Sequence, residues 1–217
     1  MTKRIGMLCM ILGALCLLSA VGFVIYNRWE AESAAVSAQK ILADVQIQME
    51  AQNEEQPTAD SIAPENTYQS EDSASPADIP TEPPTEMVTA KVDGDECIGI
   101  LSIPKLAREF PVLTQWNYEK LKKTPCHYYG TCYEPDFVIA GHNYSSHFGG
   151  LSELQPGDLI LFTDIPGKVH CYEVVLLETL PWDATEAMIL SGFDLTLFTC
   201  TPGGANRVTV RCNLKTN

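Results

Sequence analysis

Residues Ile5 to Tyr26 form an unbroken run of 22 uncharged positions, rich in Leu, Ile, Met, Val and Ala. As an α-helix at about 1.5 Å per residue, the run reaches about 33 Å, enough to cross a bilayer core. A cleaved secretory leader is the competing reading. Its apolar core is normally only about 7–15 residues and is followed by a small-x-small site. Here Ala20-Val21-Gly22 lies inside the run. We therefore expect residues 1–28 to be a short cytoplasmic N-terminus and an uncleaved, single-pass membrane anchor. Lys3 and Arg4 precede the run, while Arg28 is soon followed by Glu30 and Glu32. The positive-inside rule then puts everything after Asn27 outside the cell.

Charge divides the chain in the same way. The 217 residues carry a formal charge of −14. Residues 30–90 hold 13 acids against the single base Lys40, whereas residues 91–217 hold 15 acids and 10 bases. The acidity belongs mainly to the middle segment. Nothing in it suits a nucleic-acid binder, which needs a basic patch.

Residues 29–90 read as two pieces. Ala31, Ala34, Ala38, Ile41, Leu42, Val45 and Met49 recur at three- and four-residue steps, which predicts a helix over 29–52. Its stripe is small, so we expect a solvated juxtamembrane helix rather than a self-pairing coil. Beyond it, Pro57, Pro64, Pro76, Pro80, Pro83 and Pro84 stand among Glu, Asp, Ser and Thr. Such a stretch has little to bury and is expected to be a disordered tether that spaces a domain from the membrane.

Residues 91–217 read as one domain. Short apolar runs alternate with turn signals, giving candidate strands at Cys97–Ile103, Phe110–Leu113, Phe137–Ala140, Asp158–Thr163, Lys168–Leu177, Asp194–Cys200 and Arg207–Asn213. Asp164-Ile165-Pro166-Gly167 reads as a hairpin loop. Short helices are expected at Tyr118–Lys123, Phe148–Leu154 and Ala184–Leu190. Seven or eight short strands with little helix predict a closed barrel or sandwich.

The chain has eight cysteines. Cys9 and Cys16 lie in the apolar run, where a thiol is a small apolar group. Cys171 and Cys212 sit in strands and are expected in the core. Cys126 and Cys132 are close enough in sequence to pair, although two free thiols is the plainer expectation. Cys-x-x-Cys spacing is absent, and Ser and Gly between His142 and His147 break any shared helical face, so no metal is expected. Cys200 differs by position. It ends an apolar strand and is followed by Thr201-Pro202-Gly203-Gly204, which cannot extend a ladder. A hairpin there returns Arg207 toward Cys200, where a cation would stabilise a thiolate or an oxyanion. Arg211 shares a strand face with Arg207 and competes for that role, from further down the strand. His142 likewise follows an apolar strand. A His, a Cys and an Arg at strand ends of one small domain point to thiol chemistry.

These residues resemble the sortase family. Thr196-Leu197-Phe198-Thr199-Cys200 is similar to its Thr-Leu-x-Thr-Cys signature. Ile139-Ala140-Gly141-His142-Asn143 resembles its histidine segment, and the run from Thr201 to Val210 its arginine loop and last strand. Ile98–Pro104 resembles its opening strand, and the likeness covers residues 97–213. The resemblance implies a mainly β fold, an eight-stranded closed sortase barrel with a few short helices. It implies a membrane-anchored cysteine transpeptidase on a Gram-positive cell surface. Its partners would be secreted proteins with a C-terminal sorting signal and the amine of a peptidoglycan precursor. Cys200 would be the nucleophile, His142 the proton carrier and Arg207 the oxyanion and substrate holder, with Thr199 and Asn143 as substrate-binding neighbours. No cofactor is implied; some relatives use calcium, but no acidic cluster here is specific enough to carry that over. An Asp-Pro-aromatic lid is missing, and only about a dozen residues separate the two strands before Cys200. A housekeeping-like or class D/E-like member is therefore expected over a pilin-type or class B one. An L,D-transpeptidase places His and Cys two residues apart, unlike His142 and Cys200 here. The remaining alternative is a non-catalytic, tethered β-barrel binding module.

Overall fold

The apolar run and the alanine stripe after it form one continuous helix, α1, Thr2–Glu54, of 53 residues. The computed structural model describes residues 2–54 and 86–215, so most of the acidic, proline-rich segment lies outside the described residues. A stretch of α1 near the N-terminus is long and apolar enough to cross a membrane and is wholly unburied.

The strands are β1 (Ala90–Val92), β2 (Asp95–Ile103), β3 (Arg108–Leu113), β4 (Cys126–Tyr129), β5 (Phe137–Ala140), β6 (Leu159–Asp164), β7 (Val169–Pro181), β8 (Leu195–Cys200) and β9 (Asn206–Leu214). Helix α2 (Tyr118–Lys123) crosses between β3 and β4, and α3 (Thr185–Ile189) between β7 and β8. Strands β2-β3-β4-β5-β8-β9-β7-β6 pair in that order, and β6 pairs back onto β2, closing a barrel of eight. β1 is a ninth strand, attached to the start of β2. β1 and β4 were not legible as strands, because three or four residues such as Cys-His-Tyr-Tyr show no alternation.

Leu101, Ile103, Phe110, Phe137, Ile139, Phe162, Leu197 and Val210 fill the barrel. Residues Phe148–Glu153 form a 3-10 turn that drives Phe148 and Leu151 into this core. Each such side chain contributes about 1.5–3 kcal/mol on burial. A Cβ at position 141 would overlap the Phe148 ring, so Gly141 is what lets the chain leave β5 over that plug. Asp136, in the left-handed region at φ 66°, accepts from Ser191 N at 2.7 Å, Ser191 Oγ at 2.9 Å and Gly192 N at 2.8 Å. This clamp ties the loop before β5 to the loop before β8 and fixes where the two strands begin.

The second half of α1 corrects one expectation. It is not solvated all round. Ala34, Ala38, Ile41 and Val45 are buried, and Ile41 and Val45 pack with Val92, Cys97, Ile100 and Leu113. Alanines let the helix approach the sheet closely, so a stripe that reads as weak in isolation becomes a flat docking face. Polar contacts fix its position. Ser146 Oγ donates to Ala31 O at 2.8 Å, Lys40 Nζ lies 3.1 Å from Asp93 Oδ2, and Gln48 Nε2 donates to Lys91 O at 2.8 Å. The barrel is therefore held against the helix from a few residues beyond the apolar run.

Candidate active site

β5 and β8 run parallel, with Ala140 opposite Phe198. Gly141 N continues the ladder by donating to Phe198 O at 3.0 Å. Extending that register brings His142 level with Cys200, although they stand 58 positions apart in sequence. β9 returns antiparallel to β8 and sets Arg207 directly opposite Cys200. The turn between them is closed by Thr201 N to Asn206 O at 2.9 Å and Asn206 N to Thr201 Oγ1 at 3.1 Å. Its left-handed positions are Gly203 and Gly204, at φ 83° and 77°.

Cys200, Thr199 and Arg207 line a cavity of about 350 Å³, walled by Trp116, Tyr118, Tyr128, Trp182 and Met188. Arg207 Nη1 donates to Gly204 O at 3.0 Å and Asn206 O at 3.1 Å, which holds the guanidinium at the cavity wall. The Thr199 side chain is buried, and its Oγ1 has no hydrogen-bond partner among the described residues. Cys200 is only half-buried. Other thiols are disfavoured as nucleophiles by burial, which pushes Cys97 and Cys132 up to about 11 and Cys126 and Cys212 up to about 12. Cys126 and Cys132 are free thiols in different apolar clusters, so the possible bridge between them is not formed. Cys212 is in the core as expected, whereas Cys171 is half-buried.

His142 stands at the edge of this cavity but does not line it. Its ring stacks on Tyr144 at 3.9 Å and 7°, and lies 6.1 Å from the Tyr118 ring. Its Nδ1 is 3.2 Å from Asn143 Oδ1, which sets Asn143 against the imidazole itself. Burial lowers the His142 pKa, opposed by the Asn143 bond and by Glu30, with Lys122 adding to the lowering. The neutral form able to accept a proton is thereby favoured.

Arg211 is removed from the competition. It is buried and donates to Glu178 Oε1 at 2.8 Å, Thr196 Oγ1 at 2.9 Å, Ala187 O at 2.7 Å and Met188 O at 3.3 Å. It is a brace for α3.

A second group of chemistry-bearing residues was not legible in the sequence. Cys132, Asp164 and His170 place their ligand atoms within 4.8 Å of one another at the far end of the barrel. Asp164 is already satisfied there. Oδ1 accepts from Lys168 N at 2.8 Å, Oδ2 accepts from Tyr133 Oη at 3.1 Å, and His170 Nε2 lies 3.3 Å from Oδ2. The group braces the β6–β7 hairpin.

His147 is buried beneath α1, edge-on to Phe110. Neither ring nitrogen has a well-formed hydrogen bond, although the Ala34 and Lys123 carbonyls face it. Burial first, then His142, lowers its pKa to about 4. The folded value lies below the unfolded value of about 6.5, so the unfolded chain takes the proton first as pH falls. Stability contributed by neutral His147 is then present above about pH 6.5 and lost toward pH 4, by about 3 kcal/mol. Thermal unfolding of the full chain in detergent from pH 7 to 4.5 should show this loss, and His147→Gln should flatten it. An equal slope in the variant would assign the acid sensitivity elsewhere.

Sequence comparison matches the sortase domain to residues 101–215, more than half the chain. Among solved structures, sortase A from Corynebacterium diphtheriae superposes with a TM-score of 0.51 at 23% identity, over 57% of this chain and 62% of that one. Sortase C from Streptococcus pneumoniae gives 0.51 at 25%, over 58% and 69%. Sortase C from Clostridium perfringens gives 0.50 at 21%, over 56% and 71%. The chain thus spans less than two thirds of the diphtheria structure. No curated protein matches it. The domain match runs from within β2 past the end of β9, through His142, Cys200 and Arg207, on a barrel that superposes on sortase barrels: the chain belongs to the sortase family.

Proposed function

We propose that this protein is a membrane-anchored cysteine transpeptidase that attaches secreted proteins to the cell wall. In this reading α1 spans the membrane once, with the barrel outside. Neutral His142 takes the proton of the Cys200 thiol, and the thiolate so formed attacks the scissile carbonyl of a C-terminal sorting signal. A C–S bond forms, the peptide C–N bond breaks, and the leaving amine takes a proton from His142. The thioester is then attacked by an amine of a peptidoglycan precursor. The new C–N bond forms, Cys200 leaves as thiolate, and the amine's proton passes to His142. Arg207 stabilises the oxyanion in both steps, and Thr199, buried next to Cys200, shapes the wall of the peptide cavity. Asn143, whose Oδ1 lies against His142 Nδ1, orients the imidazole in this reading.

The observation that carries this reading is the direct pairing of Cys200 with Arg207 at the mouth of an apolar cavity. His142 lies level with Cys200 on the neighbouring strand end, and turning its ring from Tyr144 toward the thiol completes the set. The apolar, aromatic cavity suits an extended peptide with apolar side chains.

The full chain in detergent, given a library of candidate sorting peptides and triglycine, should yield a Cys200-linked acyl adduct by mass spectrometry and a triglycine-capped product. Failure of every peptide to form an adduct, with peptide binding retained, would instead favour a non-catalytic tethered binding module.

A further inference from the structure

A barrel wall buries alternate residues. In β6 the buried set is Ile160, Phe162 and Asp164, and in β7 it begins His170, Tyr172 and Val174. Asp164 and His170 are thus polar residues at inward positions. They are 2% and 5% exposed, and among the described residues no Lys or Arg pairs with the carboxylate. Cys132, also buried, reaches the same core from the loop after β4. A carboxylate is costly to bury there without a cation.

The geometry suits a small one. His170 Nε2 stands 3.3 Å from Asp164 Oδ2, and Cys132 Sγ lies within 4.8 Å of the ligand atoms of both. Bonds of about 2.0–2.3 Å in a tetrahedral centre put ligand atoms roughly 3.3–3.7 Å apart. The carboxylate and the imidazole already have that separation, and the Cys132 loop has to close by about 1 Å at most. Lys168 N donates to Asp164 Oδ1 at 2.8 Å, which leaves Oδ2 aimed at the cluster. Tyr133 Oη, 3.1 Å from Oδ2, closes the fourth side.

We propose that Cys132, Asp164 and His170 bind a single zinc ion, which locks the β6–β7 hairpin to the loop after β4. Thiolate and imidazole ligands select zinc over calcium or magnesium, which need several oxygens. The thiol proton passes to water on binding. Thiolate and carboxylate then neutralise the dication, and the metal takes the place of the His170 proton against Oδ2. The site lies at the opposite end of the barrel from Cys200 and does not depend on the transpeptidase reading.

The test uses the full chain in detergent, carrying Cys200→Ala so that the half-buried Cys200 thiol cannot bind metal. After chelation, cobalt(II) should bind at one per chain, with thiolate-to-cobalt charge transfer and visible bands of tetrahedral intensity. Equimolar zinc should bleach both and raise the unfolding midpoint by about 5 °C or more. Cys132→Ser should lose the charge-transfer band. His170→Gln, which keeps a hydrogen-bond donor beside Asp164, should weaken cobalt binding about 100-fold or more. The parent chain alone decides whether tetrahedral cobalt forms, so a variant that fails to fold does not remove the test. Six-coordinate cobalt spectra in the parent, or charge transfer undiminished in Cys132→Ser, overturns the site and leaves the cluster a hydrogen-bonded brace.

Discussion

Cys200→Ala should abolish the acyl adduct and lower peptide turnover by at least about 10³-fold, with the thermal unfolding midpoint unchanged. The size of the effect follows from the environment of the other thiols. Cys97, Cys126, Cys132 and Cys212 lie in the core and are held protonated by burial, so none can stand in. Cys200 is half-buried, at a strand end and opposite a cation. Arg207→Lys separates charge from geometry. A lysine keeps the positive charge but loses the planar fork, and its loss of an aligned oxyanion donor should cost about 10²-fold in kcat. Stability should again be unaffected, because among the described residues the Arg207 side chain bonds only to carbonyls of its own turn. Adduct formation that survives Cys200→Ala would move the nucleophile elsewhere, with half-buried Cys171 next to examine.

Arg211→Met should have the opposite signature: a loss of stability of about 3–5 kcal/mol, or roughly 10–20 °C in Tm for a domain of this size. Arg211 is 2% exposed and donates to Glu178, Thr196 and the carbonyls of Ala187 and Met188. Methionine restores much of the volume but leaves those acceptors unpaired, which is where the cost lies. Glu178 is partly exposed and can turn to water, so Glu178→Gln should cost far less. Since Met188 also lines the Cys200 cavity, freeing α3 should weaken peptide binding as well. Calorimetry and turnover on the same samples would separate the two arginines. A stable, inactive Arg211→Met protein would show that the roles of Arg207 and Arg211 were exchanged.

The two arginines illustrate how far local pattern reaches. Both lie on one face of Arg207-Val208-Thr209-Val210-Arg211, and nothing in the alternation says which meets the thiol. Sequence favours Arg207 only through its closeness to the turn. The pairing of β8 with β9 settles the geometry, because the register sets residue 207 against residue 200 and residue 211 against Thr196. The strands themselves were legible where they alternate or run apolar, even over the four residues of β5. β1 and β4 were not, since their pairing partners alone define them.

The helical stripe from Ala31 to Val45 was equally visible, but its partner was not. Periodicity reveals a face and leaves open what covers it. Glu30 reaches His142 only through that docking, from 112 positions before it.

By itself, then, the sequence determined the apolar span, the acidic segment, the β-rich domain and the three polar strand ends, because each depends on neighbours along the chain. Tertiary structure alone decided that β5 and β8 lie parallel and in register, that Arg211 is buried, and that α1 forms one wall beside His142. Those depend on contacts between residues far apart in sequence, whose free energy appears only when the barrel closes and the helix docks.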